Sequence, residues 1–497
     1  MRLAALLLGC LPFVLLEIGM RMFVPPPAVA EGIDNDPIVD LHQLRPLFVH
    51  NERADRWEIP PERYNYFRPA SFPAAKSATT KRIFVLGGST VQGRPYEHET
   101  AFSTWLKLQL QSANPAVQFE VINCGGVSYA SYRVAKILNE ILKHQPDAVV
   151  LYTGHNEFLE DRSYASIREM TSSRQWIARL ATHVRTVQWL KDRFSQPPKR
   201  TELPAEVAAR LDQANGLESY RRDTAWQDGV QQHFAIVLDH MVASTQQAGV
   251  PLLLCIPASD LINTPPIKTQ TKPGLNNQLL DEFQSAWQQA SDSEIDSSVR
   301  IQAAKRCLDI DRDHAGAHYL IGRLLYEIGD TTAARDHLVR ARDADVCPLR
   351  ATTSIINTLQ RIAAENNLPV IDVITLLDQR NRSGDRVSDG IPDPQSFVDH
   401  VHPTIAGHQI IGDALAKEFQ RLDWVTLTDQ SKQRFQASAQ SHLSSLGEDY
   451  YERGKQRLAG LHQWASGRAH QMGTSLDNAD TARDAKDQSD DRDESPR

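Results

Sequence analysis

Ser89 lies where an apolar segment meets two glycines, in the stretch FVLGGSTVQG at residues 84–93. A glycine-rich turn at a strand end suits two chemistries: a phosphate cradle of backbone N–H groups, or a nucleophile held at the strand tip. The stretch lacks the lysine of GxxxxGKS/T and the spacing of GxGxxG, and Val91 stands where a GxSxG motif needs glycine. Two interpretations of Ser89 remain, a nucleophile and a plain helix N-cap.

A base for Ser89 is found near the end of the chain, in FVDHVHPTIAGH at residues 397–408. A serine becomes a useful nucleophile when an imidazole removes its proton and a carboxylate holds that imidazole in the right tautomer. Asp399 and His402 stand three residues apart on one predicted loop, within reach of each other. We therefore predict a catalytic triad of Ser89, Asp399 and His402, in that chain order.

The same chemistry needs hydrogen-bond donors for the negative oxygen that develops during acyl transfer. Three sources follow the predicted strands: the backbone N–H of Ser89, a backbone N–H in the turn NCGGVS, and the side-chain amide of Asn156 in GHNE. Within that turn both Gly126 and Ser128 are candidates, and the sequence leaves the choice open. The predicted site requires neither a metal nor a cofactor.

The elements that must position these residues alternate along the chain from Lys81 onward. Short, continuously apolar segments such as RIFVLGG, DAVVLYTGH and VPLLLCIPAS are separated by amphipathic segments of helical period. This alternation predicts a parallel sheet covered by helices on both faces, a doubly wound α/β core. Ligands of such sheets bind at the carboxyl ends of the strands, so we expect Ser89, NCGGVS and GHNE at one edge.

Two stretches interrupt this core. Residues 158–228 are polar and helix-prone, and we predict that they form a lid beside the strand end that they follow. Residues 276–347 contain small and apolar residues at the spacing of a tetratricopeptide repeat, with Gly322 at the tight-packing position. An ordinary helical hairpin would explain the same pattern. One full repeat is too few for a free-standing solenoid, so we expect this insert to pack on the core.

The remaining segments complete the predicted layout. The core consists of two parts, residues 81–275, which include the lid, and residues 348–424, which carry the predicted base. A proline-rich linker is expected over residues 31–80. After the core we predict C-terminal helices over residues 425–470 and a disordered, charged tail over residues 471–497, which lacks core-forming residues.

The first 30 residues bear on the location of the protein. They contain an apolar run from Leu3 to Met20, broken by Glu17 and followed by Arg21 and a proline cluster. The run predicts a single N-terminal signal-anchor over residues 1–30 in the cell membrane, with the catalytic domain outside the cytoplasm. The alternative is a signal peptide cleaved after AVA, which would leave a periplasmic or secreted protein.

Four stretches, taken in order, resemble the sequence blocks of the SGNH/GDSL hydrolase family: GGST, NCGGVSYAS, GHNE and DHVHP. The likeness covers about residues 81–158 and 249–421 and leaves out the insertions. Together with the N-terminal run and the helical insert, it resembles a bacterial membrane-anchored type of this family. Two positions depart from the family pattern, since Gly88 stands where aspartate is frequent and Ser128 where glycine is usual.

The resemblance implies a flavodoxin-like α/β/α domain that hydrolyses esters. It assigns Ser89 as nucleophile, His402 as base and Asp399 as the residue that orients the base. Asn156 and a backbone N–H would stabilise the oxyanion.

Three functions follow from these residues. The first is an ester hydrolase that acts on O-acyl esters, for example acetyl esters, of carbohydrate or lipid at the cell envelope. The second is an O-acyltransferase that passes the same acyl group to a sugar hydroxyl. The third is a catalytically idle scaffold that binds a protein partner through the insert; the complete triad argues against it. Nucleic-acid binding is not expected, because the net charge is −8 and no basic stripe with interleaved aromatics occurs.

Removing residues 1–30 is expected to release the protein from membranes without loss of esterase activity, because the predicted anchor lies outside the α/β core. The measurement is an esterase assay of the membrane and soluble fractions from cells that produce the full-length or the shortened chain. A shortened chain that stays with the membranes would contradict the predicted anchor.

Overall fold

The computed structural model describes residues 36, 38–41, 44–164, 200–378 and 389–465, together with Pro12, residues 15–19 and Thr186. Most of the predicted anchor, much of the predicted lid and the predicted charged tail lie outside these residues. Within the described part of the chain, no helix is both long enough and apolar enough to cross a membrane.

The chain divides into two compact units. The first consists of Met1–Val207, Asp223–Asn263 and Arg350–Leu446, and the second of Ala208–Arg222, Thr264–Leu349 and Gly447–Arg497. The strands of the described residues are β1 (Val39–Leu41), β2 (Val49–Asn51), β3 (Arg56–Glu58), β4 (Ser71–Pro73), β5 (Thr80–Gly87), β6 (Gln118–Gly125), β7 (Ala148–Tyr152), β8 (Thr201–Leu203), β9 (Leu252–Ile256) and β10 (Val370–Asp372).

The α-helices follow the same chain order. They are α1 (Ser89–Gln92), α2 (Phe102–Ala113), α3 (Ser131–Ile141), α4 (Gly216–Ser219), α5 (Thr224–Gln247), α6 (Asn277–Ser291), α7 (Ser297–Ile310), α8 (Ala315–Glu327), α9 (Thr331–Asp343), α10 (Thr353–Glu365), α11 (Val373–Asp378), α12 (Ile405–Arg421), α13 (Asp429–Ser445) and α14 (Glu448–Ala465). Helices α4, α6 to α9 and α14 belong to the second unit.

The centre of the first unit is a five-stranded sheet in the order β10–β9–β7–β5–β6. Every neighbouring pair in it is parallel. When the five strands are numbered 1 to 5 in chain order, their order across the sheet from β6 to β10 is 2-1-3-4-5. This is the flavodoxin-like order. The doubly wound parallel core predicted from the alternation of strands and helices is therefore confirmed.

Burial of β5 on both faces explains its unbroken apolar run. Ile83 and Val85 belong to a buried cluster that includes residues of α2 and α12. Phe84, which points the other way, makes edge contacts with the rings of Phe48 and Phe72, at centroid distances of 6.2 and 5.4 Å. The aromatic residues of the N-terminal segment thus cover part of the face of the sheet opposite α2.

That segment is more than the linker its prolines predict. Within residues 31–80, strands β2, β3 and β4 form an antiparallel sheet, and β1 pairs in parallel with β8. Phe67 and Phe72 are buried. The backbone carbonyl of Tyr66 accepts hydrogen bonds from Val127 N and Gln92 Nε2, both 2.8 Å long. The segment therefore supports the two turns that follow β5 and β6.

The second unit is mainly helical. Side chains of the residues before α6, α7, α8 and α9 each accept a backbone N–H at the start of the helix, an arrangement that stabilises helix starts. Helices α8 and α9 pack closely at Gly322, where a Cβ atom would lie 2.7 Å from Cγ of Leu338. The close approach expected at Gly322 is present, while kinship with tetratricopeptide repeats stays a prediction.

Arg82, on β5, connects that strand to three other parts of the first unit through one buried guanidinium. Its Nε donates to Glu120 at 2.7 Å, and its two terminal nitrogens donate to the carbonyls of His144 and Pro73 at 2.9 and 2.8 Å. The group also lies over the ring of Phe72, 4.6 Å from its centroid. Strands β5 and β6, the turn that follows α3 and strand β4 therefore share one buried cation.

Arg82→Met should lower the free energy of unfolding by about 3–5 kcal/mol, because it leaves the largely buried carboxylate of Glu120 without its partner. The matched control is Arg361→Met, which breaks an exposed ion pair with Glu365 at i,i+4 and should cost about 0.3–0.5 kcal/mol. Urea unfolding followed by circular dichroism gives both values. Equal losses for the two variants would contradict the role assigned to Arg82.

Candidate active site

The predicted site residues meet at the carboxyl edge of the central sheet. Strands β5, β6 and β7 end level with one another, since Gly87 at the end of β5 pairs with the last residues of β6 and β7. Ser89, Ser128 and Asn156 follow these strand ends by two, three and four residues. The strand order reverses between β5 and β7. Ligands of such sheets usually bind at this point, beside the carboxyl ends of the strands.

Ser89 begins the one-turn helix α1 directly after this edge. Its Oγ lies 2.7 Å from Nε2 of His402, and Nδ1 of the same ring lies 2.6 Å from Oδ2 of Asp399. The structure therefore brings together the three residues of the predicted triad in one hydrogen-bonded line. A carboxylate on Nδ1 leaves the lone pair of Nε2 directed at the serine hydroxyl, as proton removal requires.

The loop that carries Asp399 and His402 is closed on itself. Phe397 and Pro403 form an isolated antiparallel bridge, and Val398 N donates to His402 O at 2.9 Å. Oδ1 of Asp399 accepts the backbone N–H groups of Val401 and His402 at 2.9 and 2.8 Å. The carboxylate is thus held by its own loop before it orients the imidazole.

The charge state of Asp399 follows from these contacts. Burial acts to raise the pKa of Asp399, but the rings of His402 and His400 and the hydrogen bonds from His402 outweigh burial and hold that pKa well below its ordinary value. The side chain is 2% exposed, so an ionised carboxylate faces the imidazole in an environment of low dielectric constant. This arrangement stabilises the imidazolium that forms when Ser89 loses its proton.

The turn after β6 decides which backbone N–H can reach an oxyanion. Gly126 N donates to Gly87 O at 3.0 Å, Val127 N to Tyr66 O at 2.8 Å, and Tyr129 N to Gly126 O at 3.2 Å. Of the two predicted backbone donors, Gly126 is the less favoured, because its N–H is already engaged by Gly87. In the described part of the chain, the N–H of Ser128 has no such partner and remains available.

Ser89 and Asn156 carry the other two candidate donors. The N–H of Ser89 opens α1 and has no hydrogen-bond partner among the described residues. The Asn156 amide donates one N–H to Tyr129 O at 3.0 Å, which leaves its second N–H for a ligand. A Cβ at Gly88 would lie 2.5 Å from Nδ2 of Asn156, so any larger residue at position 88 would displace this amide.

Two other histidines near the site are engaged in structural contacts. Nδ1 of His408 accepts the N–H of Phe102 at 3.3 Å, and burial together with the proximity of His402 lowers the pKa of His408 to about 3. Nδ1 of His155 accepts the N–H of Ala351 at 3.1 Å. Because the Nδ1 lone pair of His408 already accepts this N–H, we assign His408 a structural role and not that of a second base.

One buried residue of this edge was missed in the sequence. Glu157, next to Asn156, accepts both the N–H and the hydroxyl of Ser131 at 2.8 Å. The acid stands in the quoted GHNE stretch, but an acidic residue in a loop gives no sign that it is buried. The contact itself links segments 26 positions apart.

No family model matches the chain, and a search of curated proteins finds no match. Similar solved structures include an acetylxylan esterase from Geobacillus stearothermophilus, 13% identical, covering 70% of this chain and 97% of that chain with a TM-score of 0.32. A lipase/acylhydrolase from Enterococcus faecalis is 14% identical, covers 68% of this chain and 95% of that chain and has a TM-score of 0.30. A GDSL-like lipase from Bacteroides thetaiotaomicron is 10% identical, covers 71% of this chain and 93% of that chain and has a TM-score of 0.31.

All three of these similar proteins are lipases, acylhydrolases or esterases. Within this chain, the strand order is flavodoxin-like, and the Ser–His–Asp arrangement has the contacts that a serine nucleophile requires.

Ser128 offers a test of the backbone donor, because its φ of 62° lies in the left-handed region that favours glycine. Ser128→Gly keeps the N–H and relieves strain, so kcat should stay near the wild-type value. Ser128→Val puts a β-branched residue in this conformation, and we expect the shifted backbone to lower kcat by up to about 10²–10³-fold, the loss of one oxyanion donor. Steady-state hydrolysis of p-nitrophenyl acetate measures kcat for both variants. An unchanged kcat in Ser128→Val would contradict the role of the Ser128 N–H as an oxyanion donor.

Proposed function

We propose that this protein is a serine ester hydrolase that works through an acyl-enzyme on Ser89. The observation that supports this proposal most directly is the hydrogen-bonded line from Ser89 through His402 to Asp399, with contacts of 2.7 and 2.6 Å. A serine that only capped a helix would have no need of an imidazole and a buried carboxylate behind it.

The proposed reaction proceeds in two steps. His402 Nε2 takes the proton of Ser89 Oγ as that oxygen attacks the ester carbonyl, and the same imidazolium then protonates the departing alcohol. Water attacks the acyl-enzyme in the second step, with His402 again taking and returning a proton. In both steps the negative oxygen lies against the N–H groups of Ser89 and Ser128 and the amide of Asn156, which stabilise it more than the neutral carbonyl.

We also propose a cellular location and a substrate class for this protein. The apolar run within residues 1–30 supports a membrane-attached protein with its catalytic unit outside the cytoplasm, or a periplasmic or secreted one if the run is cleaved. Such a location offers O-acyl esters of envelope carbohydrate or lipid, for example acetyl esters, as the substrate class. A protein partner for the helical insert stays a prediction.

Labelling with a fluorophosphonate probe tests the proposed nucleophile and separates it from the oxyanion donors. Ser89→Ala should abolish labelling and hydrolysis, because the atom that forms the covalent bond is gone. Asn156→Ala should still be labelled, but slowly, with kcat lower by about 10²–10³-fold and KM little changed, as expected for a donor that acts when charge develops.

Thr90→Ala, which removes the neighbouring hydroxyl, is the matched control and should be labelled like the wild type. Hydrolysis and labelling that survive Ser89→Ala in a pure preparation would disprove the acyl-enzyme, and Ser89 would then be a helix cap.

A further inference from the structure

The two loops that supply oxyanion donors are linked by one carboxylate. Glu157 directly follows Asn156, and its Oε1 and Oε2 accept the N–H and the hydroxyl of Ser131, each at 2.8 Å. Ser131 is the first residue of α3 and stands three positions after Ser128. The side chain of Glu157 therefore connects the loop after β7 to the start of the helix that follows the turn after β6.

A second contact between the same loops runs in the opposite direction. The Asn156 amide, on the β7 loop, donates to Tyr129 O at 3.0 Å, on the β6 turn. Two contacts therefore join the loops: Asn156 with Tyr129, and Glu157 with Ser131. Both lie close in sequence to the proposed donors, Ser128 and Asn156. The separation of the two donors depends on these contacts, since both residues sit in loops without strand pairing of their own.

We propose that Glu157 is a positioning residue, which sets the distance between the Ser128 N–H and the Asn156 amide in the oxyanion site. This role rests on the proposed function. Glu157 does not reach the reacting atoms itself; it acts through the two donors.

Buried groups behind Glu157 oppose the effect of burial on this carboxyl group. Arg162 donates from Nη2 to the backbone carbonyl of Glu157, and its guanidinium lies 4.5 Å from the centroid of the Tyr132 ring. Burial raises the pKa of Glu157, and the charge of Arg162 together with the hydrogen bonds of Ser131 opposes that rise. The carboxylate is thus matched by a cation that holds the same loop.

The network continues to the N-terminal segment. Arg162 Nη1 lies 3.1 Å from Nδ1 of His233, and Nε2 of His233 lies 2.9 Å from Oδ2 of Asp36. A guanidinium only donates, so Nδ1 of His233 accepts and Nε2–H donates to Asp36. Asp36 also accepts the N–H groups of Ile38 and Val39. Glu157, Arg162, His233 and Asp36 are each at most 5% exposed, so solvent does not loosen this support.

Glu160 provides a matched control in the same loop. It is as buried as Glu157, and Arg133 of α3 donates to both of its oxygens at 2.7 Å. It therefore also links the β7 loop to α3, but through residues that do not flank the donors. Comparing the two carboxylates separates the position of the donors from the general stability of the loop.

Glu157→Ala should lower kcat and the rate of fluorophosphonate labelling of Ser89 by about 10- to 10²-fold with little change in KM, because a displacement near 1 Å at a reacting centre costs this much. Glu157→Gln, which keeps an acceptor for the Ser131 N–H, should recover most of the loss. Glu160→Ala should lower the melting temperature comparably and keep kcat near the wild-type value. If Glu157→Ala does not fold, Glu157→Gln and Ser131→Ala, which removes one of the two bonds, still test the proposal through smaller losses in kcat.

A double-mutant cycle with Asn156→Ala tests whether Glu157 acts through the donor. The fold-loss from Glu157→Ala should be clearly smaller in the Asn156→Ala background than in the wild type. Full multiplication of the two losses, a wild-type kcat in folded Glu157→Ala, or an equal loss in Glu160→Ala would each overturn the positioning role. These outcomes differ from failure of the proposed function, in which wild-type Ser89 itself would not be labelled.

Discussion

The hydrogen bond between His402 and Ser89 is the contact that the surrounding elements of this structure must hold in place. It is 2.7 Å long and joins residues 313 positions apart in the chain. Proton transfer needs this distance and direction, and small errors are costly. The sheet order brings the end of β5 to the switch point, and the closed loop from Phe397 to Pro403 presents the imidazole there. Helix α12, which begins at Ile405, packs beneath the sheet and holds that loop in place.

The opposite side of the site is organised by polar contacts. The turn after β6 has its N–H groups at Gly126 and Val127 engaged by carbonyls of β5 and of the N-terminal segment. This engagement leaves the Ser128 N–H as the donor that we propose for the oxyanion. The N-terminal segment is therefore part of the machinery that shapes the site, and its carbonyl at Tyr66 contacts both turns.

Features with a local chemical signature were predictable from the sequence. The continuous apolar strands indicated a parallel sheet, and the residue types of Ser89, Asp399 and His402 indicated a triad, because each signal resides within a few neighbouring residues. The choice between Gly126 and Ser128 was not predictable, since it depends on acceptors at Gly87 and Tyr66 that lie far away in sequence. The sheet within residues 31–80 was hidden by prolines, and its pairing depends on partners that composition does not reveal.

The burial of the two carboxylates is harder to predict, because nothing in the sequence indicates that the side chains of Asp399 and Glu157 lie away from solvent. An unpaired charge in an apolar interior is expensive, and either residue would take up a proton if it were buried alone. Asp399 is surrounded by two backbone N–H groups and an imidazole, and Glu157 by two donors of Ser131 and the nearby guanidinium of Arg162. The donors to Asp399 lie on its own loop, and the Ser131 donors to Glu157 lie at the start of α3. Both carboxyl groups therefore lie away from solvent, where their hydrogen bonds are stronger than in water. Ser89, Ser128 and Asn156 stay partly exposed, so that a substrate can reach them.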